Sequence, residues 1–451
     1  MPNNTISKPV DSPVLDAQAR ALFERACSLV NPERLQALLA SLVDIHSPTG
    51  EERDICEFLA DHLHTMGLQS AVQPITDTSS NVWGRLRGDG TGPSVMLYAP
   101  IDTHLEANES DLPWAGKKLT PDMLPEAIER GNTVVGLGAS NPKGMAAALI
   151  EAVNALIDAE PSLKGDLMIA FAGGGMPVIV PERNHAGLSN GVMHLLTHGV
   201  TADYGVVLKP WDEVYYEHPG LCWFKVTVEG TMGYAGVPRG TPGFRSSVVP
   251  AATVIQAIEK WLPEYTSTQK SAQVAPEAWI SAVRAGWPER PAFPSAVTEI
   301  YIDMRITPDQ EPASVLAAFG KQMREIQKLV PDAPMDWEMY ASVPGSRVDP
   351  ENWIVRSALR AWQETHGNQP YPGAPPMSGQ TDAAVMGKLG LKLVRVGYPW
   401  PGNAPAQPDC SEGLGGMGVQ HVPDLLNAIQ TILYVVVDTC TRLRSQTGLQ
   451  D

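Results

Sequence analysis

The chain has 451 residues, 43% of them hydrophobic and 6% aromatic, with a formal net charge of −17. That length fills two or three packed domains, and the low aromatic share favours aliphatic α/β packing over a β-sandwich. The acidic balance argues against nucleic acid or an anionic membrane surface as partner, because both need a basic face.

Five scattered cysteines (Cys27, Cys56, Cys222, Cys410, Cys440) show no C-x-x-C spacing, which reads as reduced thiols in a cytoplasm. The run Met1–Pro2–Asn3–Asn4–Thr5 has neither a basic nor an apolar signal region, so secretion is not expected. Ile429–Val437 is apolar but too short to span a bilayer. The localisation expected is cytoplasmic.

In chain order, residues up to about Asp11 are polar and expected to be disordered. Ala17–Leu29 and Pro32–Leu42 read as helices, the second capped by Asn31 with Pro32 at its first position. Ser47–Pro48–Thr49–Gly50–Glu51–Glu52 is a turn leading into a helix over Arg53–Met66. Strand-like Val95–Tyr98, Leu167–Ala172 and Tyr204–Leu208 then alternate with helical Gly144–Ala159 and Asn190–His198. This rhythm predicts a mostly parallel, helix-covered sheet.

The pattern changes near Trp211. Leu221–Val228, Trp279–Val283, Thr298–Met304 and Met335–Ala341 read as strands, with helices over Val249–Trp261 and Pro312–Leu329. A β-α-β-β-α-β order is the ferredoxin-like split motif. Helices at Asn352–Thr365 and Pro423–Arg442 resume the first pattern. The expected domains are 1–212 and 346–451, forming one catalytic-type unit, with 213–345 inserted as a smaller one.

Four segments carry the chemistry: Ala99–Pro100–Ile101–Asp102–Thr103; Gly136–Leu137–Gly138–Ala139–Ser140–Asn141–Pro142–Lys143–Gly144; Ala172–Gly173–Gly174–Gly175; and Val207–Leu208–Lys209–Pro210. In order and spacing they resemble the two-metal exopeptidases and amidohydrolases that include aminoacylase, glutamate carboxypeptidase and succinyl-diaminopimelate desuccinylase. The resemblance runs from about Pro32 to Arg442. It implies a zinc-exopeptidase-type α/β domain and an inserted lid that dimerises.

The same resemblance exposes a mismatch. In that family these places read His-x-Asp, Gly-x-Gly-x-x-Asp-x-Lys-Gly, Asp-Glu-Glu and a carboxylate before Pro. Here Pro100 has no side-chain lone pair, Asn141 lacks the charge of a bridging carboxylate, and Gly173–Gly175 remove the general base with a ligand. Lys209 puts an ammonium where a carboxylate would ligate. Only His421 matches the last ligand, and one imidazole does not hold zinc. The expected cofactor is therefore none, with zinc or manganese as the alternative. His185, and the pair His194 and His198 at i, i+4, are candidates for another metal geometry, but read more readily as ordinary core or surface histidines.

The candidate catalytic set is Lys209, Asp102, Tyr234, His421, Asn141 and His104. Lys209 as a fixed cation, and Tyr234 as a phenol in the lid position where the family carries histidine, would hold a developing oxyanion. His421 or His104 would handle protons, oriented by Asp102. For a substrate carboxylate the candidates are Arg245, Arg305 in Asp303–Met304–Arg305, and Ser378, Gly379 and Thr381 in a loop beside the cleft. Cys410, eleven residues before His421, reads as a bystander thiol rather than a nucleophile. Ser140 and Ser378 have no base identifiable from sequence.

Two functions follow. One is hydrolysis of an amide-type bond in a small carboxylate-bearing molecule without the family's metals. The other is an inactive relative that binds a small molecule. The expected partners are that molecule and a second copy of the chain through the lid, with no nucleic acid and no membrane.

Overall fold

The computed structural model describes residues 15–238, 240–400, 402–411 and 417–450. The expectation for residues up to Asp11 lies outside them. The chain clusters into two compact units. One comprises residues up to Tyr216, Val348–Ala374 and Val385 onward; the other comprises Glu217–Arg347 and Pro375–Ala384.

The first unit opens with α1 (Ala17–Ser28), α2 (Pro32–Val43) and α3 (Arg53–Thr65). Asn31 caps α2 by accepting the Arg34 amide at 2.9 Å, with Pro32 in the first turn. Strands β1 (Gln69–Pro74), β2 (Ser80–Leu86) and β3 (Val95–Pro100) follow, then short β4 (Ile128–Arg130) and β5 (Thr133–Val135). Helix α4 (Lys143–Asp158), β6 (Leu167–Ala172), α5 (Asn190–Thr197) and β7 (Tyr204–Pro210) complete this run.

After the second unit the chain returns with α8 (Trp353–Thr365), β12 (Lys392–Tyr398), β13 (Val419–His421) and α9 (Asp424–Cys440). The main sheet has the order β1-β2-β6-β3-β7-β12. Its last four strands run parallel, while β2 is antiparallel to both β1 and β6. Strands β3, β6 and β7 are buried along their whole length, as a sheet covered by helices on both faces requires. A small second sheet, β13-β5-β4, sets His421 opposite Thr133 and Val419 opposite Val135.

The second unit is an antiparallel sheet in the order β9-β10-β8-β11, built from β8 (Gly220–Glu229), β9 (Ala278–Ala285), β10 (Val297–Ile306) and β11 (Met335–Val343). Helices α6 (Val248–Thr268) and α7 (Pro312–Gln327) cover one face. Phe224, Ile258, Ile302, Phe319 and Met323 sit in that core, with Phe224 and Phe319 stacked at 4.0 Å. The alternation along β10, in which every second residue is buried, is the pattern of a sheet with one covered face.

Lys143, the first residue of α4, is fully buried. Its ammonium donates to the Ile45 carbonyl at 2.6 Å and the Val43 carbonyl at 3.3 Å, closing the C-terminal end of α2. Burial pulls its pKa down to about 7 from an ordinary 10.5, against the opposing pull of Asp44. Between those values the unfolded chain binds the proton and the folded chain does not, so stability rises with pH across that window. Lys143→Met should flatten the dependence by up to about 1.4 kcal/mol per pH unit in urea unfolding followed from pH 7 to 10. An unchanged slope would show that the amine stays charged in the fold.

Candidate functional site

The loops at the C-terminal ends of the parallel strands form the candidate site of the first unit. Asp102, two residues past β3, is fully buried. Its Oδ1 accepts the Gly175 amide at 2.8 Å, and its Oδ2 accepts the Met176 amide at 3.0 Å and the Thr49 hydroxyl at 2.6 Å. The carboxylate therefore ties together three loops.

The triple glycine presents amides where the family would present side chains. Gly173 donates to Asn81 Oδ1 at 3.2 Å, Gly174 to Glu52 Oε1 at 3.0 Å, and Gly175 to Asp102. The spaces a side chain would use are filled. A Cβ at Gly173 would stand 2.7 Å from Glu52 Cδ, and one at Gly174 would stand 3.1 Å from His185 Nε2. Gly174 also has φ +63°, a left-handed conformation that costs other residues energy. Burial raises the Glu52 pKa, partly offset by hydrogen bonds from Ser79 and the Gly50 and Gly174 amides. Burial also lowers the pKa of His185, with Asp102 pulling the other way, and its Nε2 has no hydrogen-bond partner. Sequence reasoning gave Glu52 no role beyond its turn and discounted His185, because neither lies in the four motif segments.

Lys209 lies near the end of β7, in register with Gly397 of β12, and is only 8% exposed. Two and three residues beyond Gly397, Pro399 and Trp400 line a cavity of about 190 Å³ together with Ser140, Cys410, Ser411, Gln420 and His421. Asn141 is the neighbour of Ser140, and its buried Oδ1 has no hydrogen-bond partner. His421 Nδ1 stands 3.4 Å from Asp424 Oδ1. Asp424, not Asp102, is thus the carboxylate that faces this imidazole.

His104 is also placed differently from the expected proton relay. Both its ring nitrogens are buried without hydrogen-bond partners, so Asp102 does not orient it. Its ring meets Trp114 edge-on at 5.7 Å, and burial lowers its pKa to about 4, which leaves it neutral at pH 7. The thiol of Cys410 is pushed up to about 11 by burial and by Asp122 and Asp409, so it stays protonated. His194 and His198 stack on each other at 3.9 Å.

In the second unit, Arg305 forms a two-pronged pair with Asp303 at 2.8 and 2.9 Å, which commits much of its guanidinium to its own strand. Arg245 lines a cavity of about 750 Å³ beside the start of α6, with Ser246, Val249, Pro294 and Asp332. Tyr234 is 55% exposed, its ring 5.7 Å from Phe293. The loop carrying Ser378, Gly379 and Thr381 clusters with this unit, although its sequence position suggested the first. Ser378 Oγ accepts the Glu277 amide at 2.9 Å, Gly379 follows it in the loop, and the buried Thr381 hydroxyl has no partner.

The residues at the family's metal positions do not fit a two-metal centre. Proline and glycines supply no side-chain donors, Lys209 supplies a cation, and Glu52 and His185 occupy the volumes over Gly173 and Gly174. Among the described residues, no group of three or more His, Cys, Asp or Glu side chains is arranged to hold a metal ion. Among the same residues, no helix is long and apolar enough to cross a membrane.

No family model matches the chain. A curated "Probable carboxypeptidase" of Aspergillus clavatus is 23% identical over 246 residues, 51% of this chain and 48% of that protein. A peptidase M20 domain-containing protein of Schizosaccharomyces pombe is 26% identical over 232 residues, 50% of this chain and 51% of that protein. The chain thus spans about half the length of these curated relatives. Human carnosine dipeptidase 1 matches the fold with a TM-score of 0.68 at 14% identity, over 96% of this chain and 100% of the other. A dinuclear metal-binding M20-family peptidase of Bacillus subtilis matches with a TM-score of 0.57 at 13% identity, over 91% and 99%.

The fold is the α/β exopeptidase fold with its lid domain. These relatives and structural neighbours are M20-type peptidases and amidohydrolases, the family that the four sequence segments resemble.

Gly174→Glu, which restores the family's residue type, should destabilise the protein by about 2–3 kcal/mol through its left-handed backbone and its contact with His185. Urea unfolding measures this. A variant as stable as the wild type would show that the space over Gly174 is not filled as described.

Proposed function

We propose that this chain hydrolyses an amide-type C–N bond in a small peptide-like molecule bearing a carboxylate, without the two-metal centre of its relatives. The observation that carries this reading is the small cavity at the C-terminal ends of the parallel strands. It gathers Ser140 and His421, with Pro399 and Trp400 from the segment after β12, the strand whose Gly397 is in register with the buried cation Lys209. Open α/β sheets bind their ligands at that edge. The bond class is taken from the relatives, which are named as carboxypeptidase and dipeptidase.

In this account Lys209 supplies fixed positive charge to the developing oxyanion, the task a metal performs elsewhere in the family. Arg245 is retained as a candidate carboxylate-binding residue within the second unit, since Arg305 is engaged by Asp303. Tyr234 is retained as a candidate hydrogen-bond donor to the ligand. The second copy of the chain is proposed to pair along β9, an edge strand that exposes Trp279 and Val283.

A second reading, a binding protein without turnover, is favoured by one observation. Glu52 and His185 fill the place of the general base, as expected of a site that has closed over its lost catalytic group. Incubating the metal-stripped protein with a dipeptide and N-acylamino-acid library, followed by product analysis, separates the two readings. Released amine supports hydrolysis, whereas a thermal shift without product supports binding alone. One or more tightly held zinc or manganese ions per chain, whose removal abolishes turnover, would refute the metal-free mechanism.

Lys209→Ala should lower kcat/KM by roughly a thousandfold with the fold intact, the cost of removing one preorganised charge-stabilising donor. Lys209→Glu should be as inactive, because Pro100 and the glycines still leave the other ligand places empty of donors. Turnover within about threefold of wild type in Lys209→Ala, under about 1 kcal/mol, would end the surrogate-cation idea.

A further inference from the structure

We propose that the cavity after β12 is a recognition pocket for an uncharged aromatic group of the ligand, with Trp400 as its specificity-determining wall and Trp211 positioning that wall. The inference rests on the reading above that this cavity takes the ligand, and it names the part of the ligand that enters.

The polar groups of the lining are turned to partners of their own. Ser411 gives its hydroxyl to Asp122, and the Ser140 hydroxyl is engaged with that of Tyr398 at 3.3 Å. Gln407 donates to the Pro405 carbonyl at 2.9 Å and accepts from Arg130 at 2.6 Å. Gln420, only 3% exposed, donates to the His421 carbonyl at 2.8 Å. Cys410 stays protonated, so its sulfur packs as a soft apolar atom. What faces the space is then mainly Pro399, Trp400, Ala404, Pro405 and Val419.

No Asp, Glu, Lys or Arg belongs to the lining among the described residues. The carboxylates that touch lining residues are already taken up. Asp122 accepts the Ser411 amide and hydroxyl, Asp409 pairs with Arg130, and Asp424 accepts the Asn403 amide and side chain at 2.7 and 2.6 Å. A charged group entering the cavity would lose hydration without a counter-charge on the wall, whereas an apolar group gains by leaving water. At about 190 Å³ the space exceeds the roughly 150 Å³ that suffices for benzene in an apolar cavity. One ring, or two fused rings, is the matching size.

The wall is braced from the neighbouring strand end. The Trp400 ring meets Trp211 edge-on at 5.1 Å. Trp211 has φ +81°, a left-handed conformation that a bulky residue adopts only where its surroundings impose it. Those surroundings are visible. The segment after β7 passes so close to Gly397 that a Cβ there would collide with the Lys209 and Trp211 carbonyls. The buried Arg395 donates to the Pro210 carbonyl at 2.7 Å, and its guanidinium lies 5.4 Å from the Trp211 ring. Trp211 thus contacts both Arg395 and Trp400. A ring fixed in this way loses little freedom when a ligand packs on it, and it adds ring–ring attraction to the burial of area.

Small aromatic probes test this without a known substrate. Indole and benzyl alcohol should bind the full chain with a Kd of roughly 1 mM or tighter in ligand-observed NMR titrations. Benzoate and benzylammonium should bind about fivefold more weakly or not at all. Trp400→Ala should weaken indole binding about tenfold. Ala404→Phe, which puts a ring into the cavity, should block indole with the urea midpoint unchanged, so that lost binding is not lost folding. Trp211→Ala should weaken indole about fivefold, and Trp211→Phe, which keeps a ring against Trp400, should restore most of it. A brace that served stability alone would move the urea midpoint and leave the preference for benzyl alcohol over benzoate as it was. In the amide library, phenylalanine and tryptophan side chains should be preferred over glycine and lysine, and Trp400→Ala should remove that preference through KM.

Indole binding that survives both Trp400→Ala and Ala404→Phe within twofold overturns the proposal. So does an absence of indole binding, or benzoate or benzylammonium binding more tightly than benzyl alcohol. Library amides cleaved without aromatic preference also overturn it, and the hydrolase reading then stands. Indole binding lost in both variants, with no amide cleaved by the wild type, supports the pocket and removes the hydrolase reading.

Discussion

The architecture of the strand-end site depends on one buried carboxylate. Asp102 has left water entirely, which is costly for a charge unless strong donors replace the solvent. Two main-chain amides and the Thr49 hydroxyl do so, and each charge-assisted bond stabilises by about 1.5–3 kcal/mol net. Because the donors come from separate loops, satisfying Asp102 fixes the turn before α3 and the glycine run after β6 relative to β3. The sequence reading has this residue orient a histidine; in this chain it orients backbone.

The glycine run shows how such a site is rebuilt. Deleting three acidic side chains would leave voids and unpaired amides, both destabilising. Glu52 and His185 fill the volumes, and Asn81, Glu52 and Asp102 accept the amides. The resemblance puts ionisable groups at these positions; in this chain Glu52 and His185 stand against the glycines there. The open space and the protic side chains lie instead around Ser140 and His421.

The second unit obeys simpler rules. Alternating strands bury one face against α6 and α7, and residues two apart on one strand, such as Asp303 and Arg305, pair on the same face. That proximity settles the fate of Arg305. A guanidinium held by its own carboxylate is a poorer grip for a ligand than one such as Arg245, which lines an open cavity.

The sequence alone determined the main helices, strands β3, β6 and β7 of the parallel run and the β-α-β-β-α-β order. These depend on periodicity and caps, which are local properties. It also identified a proline and glycines at places where the resemblance puts metal ligands, residues that lack side-chain donors in any conformation. It missed β1, β2, β4, β5, β12 and β13. Only the tertiary structure decided that Asp424 rather than Asp102 faces His421, that His104 packs away from any hydrogen-bond partner, and that Ser140 shares a cavity with an imidazole 281 positions away. Each of those facts is a matter of which loops meet in space, and no spacing along the chain encodes it.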